Sequence, residues 1–174
     1  MTNFKALTLA TVTALSTFAA PAAQARNVDN AHIRLAHAIV STGVTLKINP
    51  VECYDTPAYG WYSPANREMV VCQESAKGTY EVNWTAEDLD TLRHEAQHLV
   101  QDCMNGQLDG ILSSVYDEPI DLGKQVLGAE GIKMVLEAYA SESDHIKVME
   151  IEAFAVARMN DPMEQVADIA KFCF

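Results

Sequence analysis

The chain has 174 residues, 49% of them hydrophobic, with 24 acidic against 12 basic side chains and a formal net charge of −12. Acidity on this scale repels nucleic acid and anionic lipid, so neither is expected as a partner. The length suits one domain with a substantial core and is short for two.

The first 25 residues hold a single charge, Lys5, followed by an apolar run over residues 6–20, then Pro21 and Ala23-Gln24-Ala25. This is the layout of a secretory signal peptide with an A-x-A cleavage site. A membrane anchor is the competing reading, but Thr8, Thr11, Thr13, Ser16 and Thr17 interrupt the run, which falls short of the ~20 residues a span needs. We therefore expect residues 1–25 to be cleaved and residues 26–174 to be exported, periplasmic or extracellular, as one domain with no membrane association. Only Lys5 leaves with the signal segment, so the exported part carries a formal charge of −13.

Residues 27–41 place Val28, Ala31, Leu35, Ala38 and Ile39 at helical spacing, with Asn27 or Asp29 as cap and Thr42-Gly43 as stop. His32 and His37 on this helix are five apart, which is not the spacing of a metal pair, and they read as surface or packing residues. Val44, Leu46 and Ile48 then alternate with polar residues, and Met69-Val70-Val71-Cys72 is a second β-prone run, with turns marked by Pro57, Gly60 and Pro64. These predict a small antiparallel sheet. Tyr59, Trp61 and Tyr62 in the intervening loop either line a substrate pocket or cap a small core.

Thr85, with Asp88 three residues on, resembles a capping box. It opens a helix whose Leu89, Leu92, Ala96, Leu99, Val100 and Cys103 form an apolar stripe that Asn105-Gly106 stops. Beyond residues 107–118, Pro119 sits at a helix-start position. Helical periodicity returns over residues 132–140 and 146–159, and over 166–172 after Asp161-Pro162. The expected class is α+β, mainly helical.

All four cysteines lie in the exported part, and an even number in an oxidising compartment points to disulfides. Cys53 and Cys72 flank the loop between the two strand-like runs, whereas Cys103 follows the histidine helix and Cys173 closes the chain. The expected pairs are Cys53–Cys72 and Cys103–Cys173. A Cys/His zinc cluster, the alternative, would want a Cys-x-x-Cys spacing that does not occur here.

On a helix, residues four apart differ by about 400° of rotation, so His94 and His98 project from one face a single turn apart, spaced to share a metal through their imidazole nitrogens. Glu95 lies on the neighbouring edge, where it can take a proton from a metal-activated water without being a ligand. Two histidines on a solvated helix face could arise by accident. Against that stand the cap and stop of this helix and an acidic candidate on a later one. A catalytic zinc usually has three protein ligands and one open position, so a third must come from elsewhere.

His94-Glu95-Ala96-Gln97-His98 resembles the zinc motif of the gluzincin clan of metallopeptidases, whose third ligand is a glutamate on a downstream helix, commonly in a Glu-x-x-Ala/Ser context. The resemblance points to Glu150-Ile151-Glu152-Ala153-Phe154-Ala155, where two frames fit, since Glu150 precedes Ala153 and Glu152 precedes Ala155 by three. Residues two apart point about 200° away from each other, so only one can face the metal. Glu-x-Glu-Ala resembles gluzincin arrangements in which the first acid binds metal, which favours Glu150 and leaves Glu152 as the alternative. The other carboxylate would then bond a histidine or form a salt bridge. Metzincins instead need a third histidine soon after the motif, and no histidine follows His98 until His145. The likeness extends to small secreted gluzincin-like proteins that share His-Glu-Ala-x-His, Gln-Asp-Cys, Glu-x-Glu-Ala-Phe and a terminal Phe-Cys.

What the resemblance implies is a zincin-like fold, one Zn2+ per chain held by His94, His98 and Glu150, Glu95 as general base, and a peptide or protein substrate: a secreted zinc-dependent endopeptidase. It also implies a residue that stabilises the oxyanion, with Tyr139 and His145 as candidates, although core packing for the first and a solvated helix start for the second are the plainer readings. By the same resemblance, residues 67–72 are the expected edge strand beside the cleft, binding substrate by β-augmentation, unless they only pack. A zinc-holding secreted module without catalysis, and a helical interaction protein without metal, are the alternatives.

Overall fold

The structure, a computed structural model, describes residues 28–73, 84–106, 108–159 and 161–174. The expected signal peptide lies outside the described residues. Helix α1 (Asn30–Ser41) begins where the Asp29 carboxylate accepts the His32 N–H, and it is closed by Gly43 at φ +90°, a conformation that glycine adopts without strain. The His32 ring also meets Asp29, at 2.9 Å, so this histidine completes the cap.

Three short strands follow: β1 (Thr45–Ile48), β2 (Gly60–Ser63) and β3 (Glu68–Val71), in the order β1-β3-β2. β1 runs parallel to β3 with Leu46 opposite Met69, and β2 runs antiparallel with Tyr62 opposite Met69. The sheet is therefore mixed, which corrects the antiparallel expectation, and the expected loop between the two β-prone runs contains a strand of its own. Residues 67–72 are also not an edge. Met69, Val70 and Val71 are all fully buried, as a strand covered on both faces requires, and this uninterrupted apolar run takes the centre. The turn at Pro64–Asn66, with Arg67 in the left-handed region, folds β2 back onto one side of β3, leaving β1 to pair on the other. Asn49 and Gln73 clamp the ends of β1 and β3 together, Gln73 N–H donating to Asn49 Oδ1 at 2.7 Å and Asn49 Nδ2 to Gln73 Oε1 at 2.9 Å.

Helix α2 (Ala86–Cys103) starts with a complete capping box, Asp88 N–H donating to the Thr85 hydroxyl and Thr85 N–H to the Asp88 carboxylate. It packs against β2 and β3 on one side and against α5 (Asp144–Met159) and α6 (Pro162–Phe172) on the other. Its Leu92, Ala96, Leu99 and Val100 join Leu35 and Ile39 of α1, Tyr62, Met69 and Val71 of the sheet and Ile169 of α6 in the main core. Full burial of each large aliphatic side chain contributes about 1.5–3 kcal/mol. Between α2 and α5 lie α3 (Pro119–Val126) and α4 (Gly128–Ala138), and a smaller cluster of Val135, Tyr139 and Ile151 fastens α4 to α5. Gly123 lets α3 approach α5 closely, since a Cβ there would fall 2.3 Å from Ile151 Cγ2.

Disulfides join Cys53 to Cys72, beneath Trp61 and beside the sheet, and Cys103 to Cys173, which ties the end of α2 to the end of the chain. Such bonds are compatible with an exported protein. No helix among the described residues is long and apolar enough to cross a membrane.

Candidate metal centre

Buried polar groups on a central helix need partners, and α2 carries several: His94, Glu95, Gln97, His98, Gln101 and Asp102 are all buried, as are Glu150 and Glu152 on α5. Three of them gather at one point. His94 Nε2 lies 3.1 Å from His98 Nε2 and 3.2 Å from Glu150 Oε2, and His98 Nε2 lies 3.5 Å from Glu150 Oε1. Glu95, next to His94 in the chain, is 2% exposed.

A single tetrahedral zinc ion with bonds of ~2.0–2.1 Å would hold its ligand atoms about 3.3 Å apart, which is close to these separations. Among the described residues, neither Glu150 oxygen has a well-formed hydrogen bond, and His94 Nδ1 finds no partner either. Lone pairs buried like this cost free energy unless something cationic takes them. Two imidazoles and a carboxylate are also a donor set that suits catalytic zinc. The residues present fit a zinc ion, and among the described residues His94, His98 and Glu150 are the one His/Cys/Asp/Glu group whose ligand atoms converge closely enough to share a metal.

The three groups are also coupled electrostatically. Burial is the largest influence on Glu150 and pushes its carboxyl up, but His98 and His94 outweigh it and hold the group below the ordinary carboxylate range. Burial likewise pushes the His98 ring down, while Glu150 overcomes it and raises the ring to about 9. Glu95 is raised, chiefly by burial, with the two histidines and the Tyr62 backbone N–H opposing. Phe154 covers His94 with ring centroids 4.3 Å apart, making one wall of the site apolar.

Glu152 faces elsewhere. It accepts hydrogen bonds from Gln97 Nε2 and Gln101 Nε2, both at 3.0 Å, and from the backbone N–H groups of Val115 and Tyr116, and it touches the Ser114 hydroxyl. This carboxylate therefore anchors the segment before α3. The Tyr139 hydroxyl approaches Glu150; burial first, then the Glu150 charge, push it well above its usual pKa. The His145 ring binds the Leu112 carbonyl at 2.8 Å, so the nitrogen it would offer an oxyanion is engaged.

The sequence points to Gln101 only within Gln-Asp-Cys, with no role attached, and does not point to Ser114 at all. Gln101 lies three residues beyond His98, a helical spacing that carried the signal, whereas nothing in the sequence links Ser114 to α5. Tyr62, expected in a loop, sits on β2 and donates from its hydroxyl to Asp102 Oδ2 at 2.7 Å, pinning the strand to α2. Trp61 packs on the Cys53–Cys72 cluster.

Fold and site together define a mainly helical α+β domain with a small mixed sheet, organised around a buried cluster of two histidines and a glutamate. The chain belongs to the family described as Domain of unknown function (DUF8637), which matches residues 25–174. No curated protein and no solved structure matches it.

Proposed function

We propose that the chain is an exported, zincin-like, zinc-dependent endopeptidase that holds one Zn2+ through His94, His98 and Glu150 and acts on a peptide or protein substrate. The observation that carries this is the meeting of those three side chains at 3.1–3.5 Å, with the buried Glu95 carboxylate within their electrostatic reach. Zinc bound there would supply Lewis-acid chemistry, polarising a peptide carbonyl and acidifying a water. Glu95 takes a proton from the attacking water as the C–O bond forms, and returns it to the amine as the C–N bond breaks. Tyr139 is the better placed of the two oxyanion candidates, since His145 is engaged with Leu112.

One observation favours a second reading, a zinc-holding module without catalysis: His98 and Glu150 are 0% exposed and His94 is 4% exposed. Zinc analysis of protein purified without chelator or metal-affinity tag, with His94→Ala as control, followed by cleavage of a peptide library by wild type and Glu95→Gln, separates the two. The endopeptidase reading expects one zinc per chain, none in the control, and cleavage that Glu95→Gln abolishes while keeping its zinc. Bound zinc without cleavage would leave the idle module, and wild type without zinc would end both.

A further inference from the structure

We propose that Gln101 is a positioning residue that presents His98 Nε2 to the metal, and that Glu152 holds it in that role; the inference rests on the metal centre proposed above. An imidazole offers a lone pair at Nε2 only when its neutral form carries the proton on Nδ1, so the group facing Nδ1 chooses the ligand atom. Here that group is Gln101, whose Oε1 lies 2.8 Å from His98 Nδ1.

A side-chain amide could present either its oxygen or its nitrogen to the ring, but this one has no choice. The Gln101 Nε2 lies 3.0 Å from the Met149 carbonyl and 3.0 Å from Glu152 Oε1, and both of these are acceptors. Turning the amide over would set oxygen against oxygen twice, in a place where Gln101 and Glu152 are both fully buried. The NH2 therefore points to α5, and Oε1 is left to accept the His98 Nδ1–H. Glu152 is itself held by the Val115 and Tyr116 N–H groups and by Gln97, so the orientation is enforced from three directions.

Gln101 also spans the two helices that carry the candidate ligands. It grows from α2, three residues after His98, and grips α5 at Met149, the residue before Glu150. One side chain thus sets which nitrogen His98 presents and how far the Glu150 helix stands from it. His94 has no equivalent among the described residues, where its buried Nδ1 finds no partner. The two histidines are supported unequally, and His98 is the one whose Nδ1 is hydrogen-bonded.

The test uses Gln101→Met, which keeps length and apolar bulk but cannot hydrogen-bond, and Glu152→Gln, which removes the pin on Gln101 while leaving Gln101 in place. Zinc affinity is read by competition with a chromophoric chelator. The His98 tautomer is read from imidazole 15N shifts of the metal-free protein, on the alkaline side of the ring's titration. Loss of such an outer contact typically weakens metal binding about 10- to 100-fold, which is expected for Gln101→Met, with a smaller loss for Glu152→Gln. The Nδ1–H tautomer should dominate in wild type and lose that dominance in Gln101→Met. Unchanged affinity and tautomer in a folded Gln101→Met would overturn the proposal. So would an Nε2–H tautomer in wild type, a measurement that holds even where the variants do not fold. Wild type that takes up no zinc would sink the metal centre separately, and the tautomer would then decide the role of Gln101 by itself.

Discussion

Glu150 and Glu152 stand two residues apart on α5 and serve different neighbours: Glu150 lies 3.2 Å from His94 Nε2, whereas Glu152 receives the Gln101 amide at 3.0 Å and the Tyr116 N–H at 3.2 Å. The rotation of about 200° between them sends one carboxylate to the histidines and the other to the segment before α3. Glu150→Gln should therefore lose zinc. Glu152→Gln should still fill with zinc at saturating metal, yet melt earlier, because an amide NH2 would now face donors; a buried mismatch of this kind costs about 1–3 kcal/mol. Elemental analysis and thermal melts measure both, and the reverse pattern would exchange the two roles.

Much of this was legible in the sequence because helices announce themselves at their ends. Asp29, the Thr85/Asp88 box, Pro119 and Asp161-Pro162 marked helix starts, and Gly43 and Gly106 marked stops. The sheet was less legible. β2 is four residues long and starts at a glycine, and only its pairing with β3 makes Gly60-Trp61-Tyr62-Ser63 a strand rather than an aromatic loop. Strand direction is equally non-local, since β1 pairs not with β2, its neighbour in sequence, but with β3, and the path of the chain between β1 and β2 decides that this pairing is parallel. At the site, two of the ligand candidates follow from a spacing within one helix. The choice between Glu150 and Glu152 depends on how α5 is rotated against α2, and the packing of Ile151 against Val135 and Tyr139 helps set that rotation.

The pH dependence of the metal-free protein should follow His98. Its ordinary value of 6.5 is raised to about 9, burial opposing and Glu150 prevailing. A raised basic group contributes stability that is fully present below 6.5 and is lost as pH climbs through 9. Glu150 is held below its ordinary 4.5, so its contribution is present above that value and is lost as pH falls through the lowered pKa. Glu95, raised by burial, adds a cost as it charges at higher pH. Melting temperature without metal should therefore be highest between about 4.5 and 6.5 and decline toward 9. Zinc must displace the His98 proton, so zinc affinity should rise over the same interval in which apo stability falls. A metal-free protein that grows steadily more stable from neutral pH to 9 would contradict the His98–Glu150 pairing.

The two disulfides should differ in weight. Cys103–Cys173 spans a sequence separation of 70 and Cys53–Cys72 one of 19. On the chain-entropy account these closures contribute about 4 and about 3 kcal/mol. Replacing both members of a pair by serine and comparing chemical denaturation should show the larger loss for Cys103 and Cys173. That pair also fastens the end of α2, five residues beyond His98, so its removal should weaken zinc binding where removal of Cys53 and Cys72 does not. Equal zinc affinity in both variants would show that α2 keeps its position without the bond.

Gly60 offers a test of the proposed base that leaves the candidate ligands untouched. A Cβ at this position would sit 2.6 Å from Thr91 Cγ2, 2.7 Å from the Val70 carbonyl oxygen and 3.4 Å from Glu95 Cγ. The threonine could turn aside, but the Val70 oxygen is backbone of the central strand and cannot. Gly60→Ala should push β2 away from α2, carrying the Tyr62 N–H away from Glu95, at a cost of about 1–3 kcal/mol in stability. Because His94, His98 and Glu150 sit on α2 and α5, zinc content should hold while peptide cleavage falls. Gly60→Ala combined with Thr91→Ser relieves one of the two close contacts and should recover only part of the loss. Zinc lost together with activity would mean that β2 supports the ligands as well as Glu95, and full activity in Gly60→Ala would mean that the base does not depend on the strand beside it.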